Sequence, residues 1–199
     1  MILIEETAIP QTALPLDEFK AHLRLGTGFS DGDVQDAVLE GFLRAAIAAI
    51  EGRTGKVLIA RSFSWTIWRW RDREGQVLPV APVSAVTAVV LRARDGAETT
   101  LDPASYRLEG NAHRPLLRPA GTLLPEIPQG GAAVISFQAG MAAQWGELPA
   151  DLAQAVLMLA AHYHEYRYET ALGEGCMPFG VTSLIERYRG VRVFMGGAS

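Results

Sequence analysis

Residues 33–60 read DVQDAVLEGFLRAAIAAIEGRTGKVLIA, and the change of period inside this stretch decides the fold. Val34, Val38, Leu39, Phe42, Leu43, Ala46, Ile47 and Ile50 recur three and four residues apart, which aligns one wide apolar face along a helix. Ser30 with Asp33 has the form of a capping pair that opens this helix, and Gly52 and Gly55 close it. From Lys56 the helical period is gone. The segments 62–70, 76–80, 83–94, 105–108 and 132–137 favour β-branched and aromatic residues, and Asp95-Gly96 and Glu109-Gly110-Asn111 supply turns between them.

Outward from that junction the chain is helical on both sides. Leu16, Phe19, Ala21, Leu23 and Leu25, mixed with Asp17, Glu18, Lys20 and Arg24, predict a short helix stopped by Gly26. Pro149 and Asp151 open a long amphipathic helix through Leu152, Ala155, Val156, Leu159, Tyr163 and Tyr166, which Gly173 and Gly175 end. A shorter helix over 182–188 follows the Met177-Pro178-Phe179-Gly180 break, and Gly196-Gly197 begins a terminus with little to hold it. The expected class is α+β: a helical core of two N-terminal helices and one long C-terminal helix, with an inserted antiparallel β subdomain and a C-terminal helical arm. The boundaries read 1–55, 56–140, 141–175 and 176–199.

With 199 residues, 49% of them hydrophobic and 20% charged, the chain has enough apolar surface for a core. A net charge of -4 provides no general field for polyanions. Cys176 is the single cysteine, so no intrachain disulfide forms and a multi-cysteine metal site is ruled out. The amino terminus has no basic region followed by an apolar block, and no apolar run approaches the roughly 20 residues that span a bilayer, so a cytoplasmic protein outside the membrane is expected.

Catalytic and cofactor chemistry finds little support. His162, His164 and Glu165 crowd one helical stretch, but residues two apart point about 200° away from each other, so no metal pair is expected. Cys176 with a histidine is the only nucleophile arrangement worth naming, and no nucleophile-elbow sequence surrounds a serine. Gly26-Thr27-Gly28 lacks the lysine and hydroxyl of a phosphate loop, and Gly130-Gly131 precedes a strand. No catalytic residue, metal or cofactor is expected. Arginines 69, 71 and 73 beside Trp65, Trp68 and Trp70 form the best nucleic-acid candidate, a module over residues 65–73. Asp72, Glu74 and the acidic whole favour a protein interface there instead, with Trp68, Arg69, Trp70 and Arg71 as its exposed members.

Several segments together resemble the head-tail connector family of tailed phages and gene transfer agents. They are Phe19-Lys20-Ala21-His22-Leu23-Arg24, the helix-to-strand junction from Ile50 through Thr54-Gly55 to Ile59, and Leu78-Pro79-Val80-Ala81-Pro82-Val83 with Val86. Asp95-Gly96, Tyr106, the strand Val134-Ile135-Ser136-Phe137-Gln138-Ala139-Gly140, Leu148-Pro149 and Arg187-Tyr188-Arg189 follow in the family's order. Phe179 and the extension Val191-Arg192-Val193-Phe194 depart from it. The resemblance implies a non-enzymatic adaptor, twelve copies of which form a ring between the portal and a tail-side stopper protein, with DNA passing through the channel without sequence-specific binding. It places the protein in the particle, and in the host cytoplasm before assembly. It further implies a portal-docking arm, whose candidates are Leu184, Ile185, Arg187, Tyr188, Arg189, Val191, Arg192, Val193 and Phe194. Trp68, Arg69, Trp70 and Arg71 are the inter-subunit or tail-side candidates.

Overall fold

The computed structural model describes residues 1–24, 32–167 and 177–190. The chain divides into two units, one formed by Met1–Pro15 with Lys56–Leu148 and the other by Leu16–Gly55 with Pro149–Ser199. The class is α+β, and among the described residues every strand pairing is antiparallel apart from two isolated parallel bridges.

The first unit holds the strands. β1 (Ile2–Glu5), β2 (Arg61–Ile67), β8 (Ala132–Ala139), β4 (Val83–Arg92) and β5 (Glu98–Thr100) lie side by side in that order as a five-stranded sheet. β3 (Gln76–Val77), β7 (Leu116–Pro119) and β6 (Tyr106–Glu109) make a three-stranded one. The period-two pattern of β2 sends Phe63, Trp65 and Ile67 into the core, where Phe63 stacks on its register partner Phe137 at 5.6 Å between ring centroids. Val89, Ile135, Leu117 and Leu124 complete this cluster with no exposure at all.

The root of the unit is clasped by backbone bonds. Val57 N–H donates to Ala81 O (2.8 Å), Ala60 N–H to Ala142 O (2.8 Å) and Gly140 N–H to Pro82 O (3.1 Å). Gly140 is where two backbones nearly touch: an added Cβ would stand 2.2 Å from Ala60 Cα.

The second unit is helical. α1 (Leu16–His22) buries Phe19 completely, and Lys20 pairs with Asp36 of α2 (Gly32–Thr54) at 2.6 Å. α2 turns Leu39, Leu43, Ala46, Ile47 and Ile50 inward, whereas Val38, expected on that face, is 50% exposed. Gly55 ends the helix in the left-handed region (φ 69°), its N–H bonded to Glu51 O at 2.8 Å. α3 (Ala150–Glu165) buries Leu152, Ala155, Val156, Leu159 and Ala160. α4 (Phe179–Ile185) buries Val181 and Ile185, and a 3-10 turn (Glu186–Tyr188) follows it.

Several boundaries differ from expectation. Residues 1–15 belong with the strands through β1, which pairs with β2 from Ile2↔Thr66 to Glu5↔Phe63, and residues 141–148 belong there too. β2 stops at Ile67, three residues earlier than expected, because the chain leaves the sheet at Trp68. α4 starts at Phe179, with Pro178 as its N-cap, three residues before the expected start. The expected loose arm is corrected over its first half: Val181 and Ile185 are wholly buried and Tyr188 is 9% exposed, so burial holds this segment in place. Ser30, Cys176 and the arm candidates Val191, Arg192, Val193 and Phe194 lie outside the described residues.

Candidate functional site

The possible chemical centres resolve into packing. The His162 ring leans on Tyr166 (4.7 Å between centroids), whereas His164 meets Phe42 edge-on (5.8 Å) and lies 3.1 Å from the Arg167 guanidinium. Burial, then the charge of Arg167, lowers the pKa of His164, so its neutral ring is favoured. The two imidazoles thus serve different neighbours, and among the described residues no three His, Cys, Asp or Glu side chains gather as a metal would need. The purified protein is expected to carry no stoichiometric zinc or iron. Elemental analysis finding one metal per chain, lost on replacing His162 or His164, overturns this.

Lys56 is 4% exposed, and burial lowers its pKa. Its ammonium donates to Ala112 O and lies 3.0 Å from His113 Nδ1, which ties the turn after β6 to the root of the unit. That is a structural role for a buried lysine.

The tryptophan and arginine stretch divides sharply. Trp65 (4% exposed) and Trp70 (9%) are core residues, and the Trp70 indole donates from Nε1 to Pro125 O at 2.7 Å. Trp68 is 54% exposed, and Arg69 and Arg71 beside it are exposed as well. The expectation that Trp70 faces a partner is therefore corrected. Period-two alternation carries Trp68 outward at the end of β2, and the bend after it folds Trp70 back beneath 125. Arg71 N–H donating to Gln76 Oε1 (2.8 Å) and Arg73 Nε donating to Leu124 O (2.9 Å) fix that bend. Trp68→Ser is expected to leave the thermal transition unchanged, whereas Trp70→Ser costs about 3–5 kcal/mol through the lost packing and orphaned carbonyl. Paired urea titrations check this, and equal losses at the two positions overturn it.

The arm candidates divide as well. Ile185 and Tyr188 are buried, whereas Arg187 and Arg189 are exposed. Tyr188 Oη donates to Asp151 Oδ1 at 2.8 Å, and Arg187 Nη2 reaches Asp151 Oδ2 at 2.8 Å while its guanidinium lies over the Tyr188 ring at 4.7 Å. Burial raises the Tyr188 pKa, against the lowering effect of the Arg187 bond. Asp151 sits in the first turn of α3, where a carboxylate already suits the helix dipole. This three-residue fastening joins positions 37 apart in sequence, and no local pattern signals it.

Among the described residues the exposed large hydrophobic side chains include Ile2, Ile4, Trp68 and Phe179. Among the described residues no helix is long and apolar enough to cross a membrane. No protein-family model and no curated protein matches the chain. Solved structures do. The chain is 53% identical, with a TM-score of 0.88, to a chain in the neck of an empty gene transfer agent (GTA) particle computed with C6 symmetry. It is 52% identical (TM-score 0.85) to one in the virion of a native GTA particle, and 49% identical (0.84) to one in the native neck computed with C12 symmetry. Each alignment covers 98% of this chain and 99% of the other. With about half its residues identical over nearly the full length of both chains, the chain belongs to the head-tail connector family of gene transfer agents and tailed phages, structural components of the particle neck.

Proposed function

We propose that the protein is the adaptor subunit of such a neck: twelve copies form a ring below the portal, meet a stopper protein on the tail side, and line the channel through which DNA leaves. The observation that carries this reading is the full-length similarity to chains in necks of C6 and C12 symmetry, since six divides twelve and one ring satisfies both. A cyclic ring needs two different complementary surfaces on each copy, which suits a chain whose unexplained features are surfaces. Trp68 with Arg69 and Arg71 has the composition of an interface anchor and serves a neighbouring copy or the stopper. The residues after the Tyr188 fastening, with Arg189 and Arg192 among them, reach the portal. DNA passes the ring without sequence-specific contact, and the protein works in the particle after a stay in the host cytoplasm.

The test is assembly with purified portal rings. The expected product carries twelve copies per portal dodecamer, counted by native mass spectrometry, and a chain that stays unassociated overturns the reading. The nucleic-acid module over 65–73 is weakened by the burial of Trp65 and Trp70, which leaves a single exposed indole where stacking along a strand needs several. Salt-sensitive retention of single-stranded oligonucleotide by the wild type, lost in Trp68→Ser, would restore it.

A further inference from the structure

β1 is an edge strand with four exposed side chains: Ile2 (50%), Leu3 (41%), Ile4 (49%) and Glu5, with Met1 (82%) ahead of them. It carries no lysine or proline, the usual guards of an open edge. The bond from Glu6 N–H to Ser62 O (2.9 Å) sets the phase of the ladder. By alternation Ile2, Ile4 and Glu6 bond to β2, and the N–H and C=O groups of Leu3 and Glu5 point away from the sheet. The register that joins Ile2 to Thr66 leads on toward Trp68, which stands just past the Met1 end of the strip, followed by Arg69 and Arg71. The other end carries Glu5 and Glu6, both exposed; the Glu5 carboxylate is already paired with Arg61 at 2.8 Å, so Glu6 supplies the net negative charge of that end. The edge is therefore apolar in the middle, basic at one end and acidic at the other.

We propose that in the free protein this edge pairs with the same edge of a second copy, antiparallel, about a two-fold axis at Leu3. The outward N–H and C=O of Leu3 then exchange bonds with those of Leu3 in the second copy, and Ile2 of each copy lies opposite Ile4 of the other. The acidic end of each copy meets the basic end of its mate, whereas parallel pairing would set like charges together. Such self-complementarity is what a two-fold contact requires. Met1, Ile2, Leu3 and Ile4 thus form an exposed apolar strip of the kind that marks an interaction site. The dimer is a state of the free chain and does not depend on the ring.

Sedimentation and cross-linking test this together. Wild-type protein is expected at twice its 21.5 kDa mass. Leu3→Lys is expected to be monomeric with an unchanged thermal transition, since that side chain stands in no core. With Cys176 replaced by serine, Leu3→Cys is expected to form a disulfide-linked dimer on mild oxidation, because hydrogen-bonded partners stand about 5.5 Å apart at Cα, within disulfide reach. A heterologous ring contact joins two different surfaces and never sets Leu3 beside Leu3. A wild type that sediments as monomer, an oligomer that Leu3→Lys leaves intact, or an oligomer without the Leu3→Cys bridge each overturns the proposal.

Discussion

Replacing Gly140 with alanine is expected to unfold the β unit. The new Cβ would stand 2.2 Å from Ala60 Cα, 2.4 Å from its N and 2.8 Å from its Cβ, and two of these are main-chain atoms that cannot rotate aside. Relief requires parting the strands at their root, which breaks the bonds from Ala60 N–H to Ala142 O and from Gly140 N–H to Pro82 O. The φ of 156° adds strain for any side chain. A loss of more than about 4 kcal/mol is expected, in the rare tail of single substitutions and a large part of an ordinary domain's stability. Gly146→Ala is the control, because nothing lies within 4 Å of its Cβ, and a change within about 0.5 kcal/mol is expected there. All four tryptophans, at 65, 68, 70 and 145, belong to this unit, so their fluorescence reports on its unfolding directly. Native fluorescence and an unshifted midpoint in Gly140→Ala would show that the close approach is not needed.

Two truncations are expected to behave oppositely. Ending the chain after Gly180 removes Val181 and Ile185, both with no exposure, together with Tyr188 and its bond to Asp151. Each buried aliphatic residue is worth about 2–5 kcal/mol in such a site, so the helical unit should lose its cooperative transition in far-ultraviolet circular dichroism. Ending the chain after Gly190 keeps all of these contacts, and the transition should stay within about 2 °C of the full-length protein, a shift well under 1 kcal/mol. On the adaptor reading, the 1–190 chain folds yet fails to attach to portal-containing heads. Normal attachment by 1–190 removes the terminal segment from the docking surface, and a cooperative 1–180 chain removes α4 from the core.

The helices were legible because their signal is local and repeated. In α2 the series Leu39, Leu43, Ala46, Ile47 and Ile50 is buried as the spacing predicts, and Leu152, Ala155, Val156 and Leu159 repeat the case in α3. The central strands were legible for the same reason, β8 running Ala132–Ala139 where 132–137 was expected. The edge elements were not. β1 is a four-residue run far from any turn signal, β5 is Glu-Thr-Thr, and β7 is bounded by Pro115 and Pro119, so composition hides all three. Trp70 shows the limit of alternation: period two says which way a residue points only while the strand lasts, and β2 ends three residues earlier. The Asp151–Tyr188–Arg187 fastening was invisible because nothing local links an acid opening one helix to a tyrosine closing another.

The interleaved connectivity governs how this chain can be made. β1 leaves the ribosome well before its partner strand β2, which starts at Arg61 after α1 and α2, and β2 in turn awaits the central strand at Ala132–Ala139. The early helices likewise wait for α3 at Ala150. At roughly 5–20 residues per second, neither unit can close until about seven seconds or more after β1 is made. Neither half can therefore be secured before the other is under way, and the nascent chain trails an unpaired Ile-Leu-Ile segment for most of its birth. A ribosome stalled near residue 130 should display a protease-sensitive chain throughout, and both units should become resistant once Ala132–Ala139 and Ala150–Glu165 have emerged, in one late and nearly simultaneous step.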